Sequence, residues 1–164
     1  MNREKTLERI AAGGIIAIIR AATAERAAEI TRALLAGGID CLEITLTTAG
    51  AVPAIARLAE LFGDQICVGA GTVLDAASCQ AALRAGAQFI VSPTLEPAVI
   101  AATRSAGAVS VPGAYTPTEI LTAHRAGADI VKVFPAGGLK PAYFSDVLAP
   151  LPFLKLAPTG GVDA

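Results

Sequence analysis

Two textures alternate along this chain: short apolar runs rich in β-branched residues, and longer alanine-rich stretches between them. The runs are apolar without strict alternation, the pattern of strands covered on both faces. They predict strands at Ile15 to Arg20, Cys41 to Leu46, Ile66 to Thr72, Phe89 to Pro93, Val109 to Pro112, Ile130 to Phe134 and Leu154 to Pro158. Helices fill the intervals, with starts predicted at Thr23, Thr48, Asp75, Thr94, Thr116 and Lys140.

One joint recurs. Leu35-Ala36-Gly37-Gly38-Ile39, Arg84-Ala85-Gly86-Ala87, Ser105-Ala106-Gly107-Ala108 and Arg125-Ala126-Gly127-Ala128 each close a helical stretch and precede a strand. Glycine after a helix supplies the left-handed stop, so each joint reads as helix-to-strand. The last three recur at intervals of about 20 residues, the length of a compact βα unit. Strict alternation of β and α predicts a parallel sheet, and seven near-uniform units without a glycine-rich dinucleotide fingerprint favour a (β/α)8 barrel over an open doubly wound sheet. No linker interrupts residues 1–164, which read as a single barrel domain. A complete barrel has eight strands and rarely fewer than about 200 residues. The expectation is therefore an incomplete barrel, truncated after its seventh strand, with strands one and seven left as open edges.

The chain has 164 residues, is 54% hydrophobic and 16% charged, and carries a formal net charge of -1. Near-zero charge and no basic block argue against nucleic acid as a partner. No apolar run approaches the roughly 18 residues of a membrane span. The opening Met1-Asn2-Arg3-Glu4-Lys5 lacks the pattern of a secretory signal, which makes the cytoplasm the expected location. Cys41, Cys67 and Cys79 show no CxxC spacing and read as reduced core thiols. His124 is the only histidine and sits near a helix end, as a surface residue favoured by the helix dipole does; no metal site is expected.

Candidate chemistry gathers at the strands' carboxyl ends, where barrel enzymes keep their sites. Lys132, inside Ile130-Val131-Lys132-Val133-Phe134-Pro135, places an ammonium in an apolar strand. Burial disfavours the charged form and can yield a neutral, nucleophilic amine near neutral pH, as Schiff-base chemistry requires. The alternative is one half of a structural ion pair, or a lysine that snorkels from an edge strand. Glu43 is a second isolated charge in an apolar strand, and strands two and six face each other across a narrow barrel. Together the two read as an amine nucleophile with a general acid and base, or as a satisfied buried pair. Arg20 reads as a clamp for a carboxylate or phosphate, or as a solvated strand-end arginine. Gly69-Ala70-Gly71-Thr72 reads first as packing where a strand turns into a helix. Thr159-Gly160-Gly161 offers backbone N–H groups to an anion, or forms a simple turn.

With these residues assembled, the sequence resembles the class I aldolase family of 2-dehydro-3-deoxy-phosphogluconate (KDPG) aldolase, with its 4-hydroxy-2-oxoglutarate aldolase activity. The motifs are Ile15-Ile16-Ala17-Ile18-Ile19-Arg20, Leu42-Glu43-Ile44-Thr45-Leu46-Thr47, Gly69-Ala70-Gly71-Thr72-Val73, Phe89-Ile90-Val91-Ser92-Pro93, Val111-Pro112-Gly113, Val131-Lys132-Val133-Phe134-Pro135 and Pro158-Thr159-Gly160-Gly161-Val162. The resemblance implies Lys132 as the Schiff-base lysine and Glu43 as the proton-transfer residue. It implies Arg20, Thr72, Pro93 and Phe134 around the substrate, with Thr72 near its carboxylate, and Thr159, Gly160 and Gly161 on the phosphate side. Thr47 stands where some members carry arginine, so it bears on substrate preference. The implied reaction gives pyruvate and glyceraldehyde 3-phosphate without metal or cofactor, in a homotrimer. The same mechanism on the galactonate epimer or on 4-hydroxy-2-oxoglutarate is the near alternative, and an inactive barrel fragment or assembly subunit the distant one.

Overall fold

A computed structural model describes residues 2–162. It contains eight strand segments, all parallel where paired, alternating with seven α-helices. In chain order these are α1 (Arg3–Gly13), β1 (Ala17–Ile19), α2 (Ala24–Ala36), β2 (Cys41–Thr45), α3 (Ala51–Phe62), β3 (Cys67–Gly71), α4 (Ala76–Arg84), β4 (Phe89–Val91) and α5 (Pro97–Ser105). Then follow β5 (Val109–Val111), β6 (Gly113–Ala114), α6 (Pro117–Ala126), β7 (Val131–Val133), α7 (Pro141–Leu148) and β8 (Leu156–Pro158). A 3-10 turn at Gly63–Gln65 links α3 to β3.

Local chemistry sets most boundaries. Thr23, Asp75 and Thr116 each accept a hydrogen bond from a backbone N–H in the first turn of their helix, and at α6 Glu119 returns the favour to Thr116 in a capping box. Two starts come later than the sequence suggests: α3 begins after Gly50 rather than at Thr48, and α5 after Glu96 rather than at Thr94. Thr48 is held instead in a turn, its N–H donating to the Thr45 carbonyl at 3.0 Å. The four glycine joints take positive φ at Gly38, Gly86, Gly107 and Gly127.

The strands form two parallel sheets, β1 to β5 and β6 to β8. The fifth predicted strand is thus split. Pro112 has no N–H to give a ladder, and the chain changes partners there: Val111 pairs with Val91 of β4, and Gly113 with Lys132 of β7. The Pro112 carbonyl still accepts from the Lys132 N–H at 2.9 Å, so the wall continues across the break.

Strand residues alternate between two layers, as the period of two demands. Leu42, Ile44, Val68, Ala70 and Ile90 face the helices and pack with Ile55, Leu58, Cys79 and Ala82. Cys41, Cys67, Phe89, Val91, Val109 and Val111 face inward. Ile10 of α1 joins them, so this helix seals the floor beneath the strand starts, a role the sequence reading did not give it. Arg3 anchors it through an ion pair with Asp129, whose side chain is 2% exposed and also accepts the Ser110 N–H. Among the described residues β8 does not pair with β1. No described helix is long and apolar enough to cross a membrane.

Candidate active site

The inward layer ends in charge. One residue beyond Leu42 on β2, Glu43 points into the interior, 3% exposed; on β7, between Val131 and Val133, Lys132 does the same at 7%. Both line a cavity of about 760 Å³ that lies between β1 and β8, with Ile10 of α1 at its base. Thr159, Gly160 and Gly161, in the loop after β8, line it as well.

No direct ion pair joins Glu43 to Lys132 among the described residues, so the reading of a closed structural salt bridge does not hold. They act on each other through the field. Burial pushes the Lys132 amine below its ordinary range; the Glu43 charge opposes this, and the Arg20 charge adds to it. Burial likewise pushes the Glu43 carboxyl up, against the pull of Lys132 and Arg20. The site therefore holds an amine that gives up its proton more readily than a free lysine and a carboxyl that keeps one longer than a free glutamate. Such a pair can attack a carbonyl and shuttle protons. The Lys132 Nζ also lies 5.0 Å from the centre of the Phe134 ring, which covers it.

The loops after β7 and β8 are tied together. The Ala136 N–H donates to the Thr159 carbonyl at 2.9 Å, and the Thr159 N–H to the Val133 carbonyl at 3.0 Å. Gly160, at φ 83, sits so close to Phe134 that an added Cβ would meet the ring at 3.0 Å. Of the candidates from sequence, Glu43, Lys132, Thr159, Gly160 and Gly161 thus share one cavity, with Phe134 at its edge and Arg20 within electrostatic reach. Thr47, Thr72 and Pro93 occupy the carboxyl ends of β2, β3 and β4 but do not line the cavity; Thr47 is exposed in the turn after β2. Thr72 has φ 56, a left-handed conformation that a β-branched residue rarely adopts and that costs on the order of 1–3 kcal/mol. Its neighbour Val73 fixes the turn by donating from its N–H to the Val91 carbonyl at 3.1 Å. No group of three or more histidine, cysteine, aspartate or glutamate side chains among the described residues is placed to hold a metal.

Comparison with known proteins sets this geometry in a family. The family model described as KDPG and KHG aldolase matches residues 7–164. The chain belongs to that aldolase family. It is 38% identical to the 2-dehydro-3-deoxy-phosphogluconate aldolase of Treponema pallidum, covering 96% of this chain and 74% of that protein. It is 35% identical to the 2-dehydro-3-deoxy-6-phosphogalactonate aldolase of Escherichia coli, covering 90% and 73%. Among solved structures, the KDPG aldolase of Legionella pneumophila, with pyruvate captured as a covalent carbinolamine intermediate, superposes with a TM-score of 0.84 at 31% identity, over 90% of this chain and 71% of that one. The aldolase family members set the α/β barrel class as well, as the βα alternation predicts.

Proposed function

We propose that the chain is a Schiff-base aldolase that cleaves 2-dehydro-3-deoxy-6-phosphogluconate to pyruvate and glyceraldehyde 3-phosphate. The observation that carries this is the convergence of the buried Lys132 amine and the buried Glu43 carboxyl on one cavity in a chain of the aldolase family. The neutral Lys132 amine attacks the C2 carbonyl to give a carbinolamine, which takes up a proton from solvent and loses water to leave a protonated imine. Glu43, as carboxylate, takes the proton of the C4 hydroxyl. The C3–C4 bond then breaks, its electron pair moving into the imine to form an enamine while C4 becomes the aldehyde of the departing triose phosphate. Glu43 returns a proton to C3, and water releases pyruvate from Lys132. The two shifted acidities suit these tasks, since the amine must be free to attack and the carboxyl must cycle between its two states.

In this reading Arg20 and Thr72 hold the carboxylate end of the substrate, Pro93 and Phe134 wall the reacting carbons, and Thr159, Gly160 and Gly161 take the phosphate; for Thr72 and Pro93, which do not line the cavity, the roles rest on the family resemblance alone. A cytoplasmic homotrimer belongs to the same proposal: the trimer rests on the family resemblance, the location on an opening segment without the pattern of a secretory signal. Incubation with pyruvate and borohydride is expected to add a reduced pyruvyl group at Lys132, located by peptide mass mapping and absent from Lys132→Arg. A clean failure to label Lys132 would overturn the assignment.

One observation favours a second substrate. The chain is as similar to a probable 2-dehydro-3-deoxy-6-phosphogalactonate aldolase of Rhizobium meliloti, at 38% identity, as to the gluconate enzyme of Treponema pallidum. With Thr47 after β2, the galactonate epimer, or the unphosphorylated 4-hydroxy-2-oxoglutarate, is the alternative. Turnover of the three compounds side by side ranks them.

A further inference from the structure

Gly69 and Gly71 both face the barrel interior from β3, and each lacks a side chain for a different reason. A Cβ on Gly69 would stand 2.4–2.5 Å from three atoms of the Phe89 ring, which forms the floor of the interior. A Cβ on Gly71 would stand 2.5 Å from Glu43 Oε1, 2.7 Å from its Cδ and 3.1 Å from its Oε2. The Glu43 carboxylate thus occupies the space that a Gly71 side chain would take. Gly71 does not have the positive φ that favours glycine, so the backbone there accepts an L side chain without strain. The three atoms nearest to such a side chain all belong to the Glu43 carboxylate. Its neighbours in β3 and β2 hold it in register, with Gly71 opposite Thr45 and Gly69 opposite Glu43.

We infer that Gly71 is a positioning residue for proton transfer: its missing side chain is the seat that holds the Glu43 carboxylate toward the cavity it shares with Lys132. The inference rests on the assignment of Glu43 proposed above. It has a distinctive consequence, because the crowded group is the end of a flexible side chain. A methyl group at position 71 is absorbed by swinging the carboxylate away, with the strand left in place. Folding and imine formation at Lys132 survive, and the proton steps do not. At Gly69 the same change meets a rigid ring and is expected to disturb the fold instead.

The test uses the full chain and pyruvate, with two readouts: borohydride trapping at Lys132, and solvent deuterium exchange into the pyruvate methyl group. Gly71→Ala is expected to keep trapping within about threefold while exchange, and kcat in the cleavage reaction, fall about a hundredfold or more, the usual worth of a general acid and base; KM stays within about threefold. Adding Glu43→Asp, whose shorter side chain clears the new methyl, is expected to restore exchange by at least about tenfold over Gly71→Ala alone. Full exchange in Gly71→Ala, or parallel loss of trapping and exchange without that rescue, overturns the inference. Glu43→Gln separates this failure from failure of the underlying assignment: if it retains exchange, Glu43 is not the proton carrier, whereas loss in Glu43→Gln with full exchange in Gly71→Ala sinks the seat alone. A crystal structure of Gly71→Ala reads the same point without turnover. The carboxylate must retreat from 2.5 Å to at least the 3.4 Å of ordinary contact over an unmoved β3, and a carboxylate left in place overturns the inference.

Discussion

The barrel floor offers a quantitative check on the packing that supports the site. Phe89 is fully buried, and its ring passes over Gly69 among Ile10, Cys41, Cys67 and Val109. Phe89→Ala empties that space and is expected to cost about 3–5 kcal/mol. Gly69→Ala drives a methyl into the ring; an aromatic side chain walled on all sides cannot swing clear, and overpacking of this kind costs about 1–3 kcal/mol. Were the two independent, the double variant would lose about 4–8 kcal/mol. They share one volume, so the new methyl enters the space the ring vacates, and the double variant is expected to cost no more than Phe89→Ala alone. The coupling is then about 1–3 kcal/mol. Any gain from stiffening the unfolded chain at position 69 enters both arms and cancels. Urea unfolding of all four proteins, followed by far-UV circular dichroism and compared at equal slopes, measures it. Phe89→Leu run in parallel keeps the cycle readable if the alanine variant is too close to unfolding. Additivity within about 0.5 kcal/mol would refute the contact.

Two further outcomes follow from the charges. Glu43 is the influence that raises the Lys132 pKa, while burial and Arg20 lower it; the pH midpoint for pyruvate trapping is therefore expected to move down in Glu43→Gln and up in Arg20→Gln, and movement in the same direction would contradict the field described. Stability carries the same signature. With Lys132 below its ordinary value of 10.5, the folded chain binds fewer protons than the unfolded one between the two values, so stability rises with pH across that window, and Lys132→Met abolishes the rise in chemical denaturation at graded pH. Glu43 works oppositely on the acid side: above 4.5 the folded chain holds the extra proton, and stability falls as pH climbs to the raised value. At the floor, Asp129→Ala strands the Ser110 N–H and is expected to cost about 1–3 kcal/mol by thermal unfolding. Asp129→Asn keeps an acceptor there and should lose less.

Elements whose signals are local were legible in the sequence. Thr23, Asp75, Thr116 and Lys140 stand at the N-caps of α2, α4, α6 and α7, and the four glycine joints all turn left-handed. The Thr48 and Thr94 starts failed because a threonine beside a strand end serves a turn as well as a cap, and nothing local tells which. The break at Pro112 was visible as a missing donor, but its effect, a change of partner strand, depends on where β7 lies. Lys132 and Glu43 announced themselves through the cost of charge in apolar runs. The two glycines of β3 did not: a residue without a side chain shows nothing about what it makes room for, and Phe89 and Glu43 are remote from it in sequence. The role of the floor helix α1 was not legible because its few apolar residues, such as Leu7 and Ile10, look unremarkable until the strand starts are seen above them.

The split at Pro112 bears on how the two reactive groups keep their spacing. Glu43 belongs to the sheet that ends at β5 and Lys132 to the one that begins at β6. Five residues, Ser110 to Ala114, are the splice between them. Beside the splice, Gly113 is pressed so closely on the Pro93 carbonyl that a Cβ would fall 2.2 Å from its oxygen. The path through the wall from acid to amine thus crosses a backbone-on-backbone contact in which neither takes part.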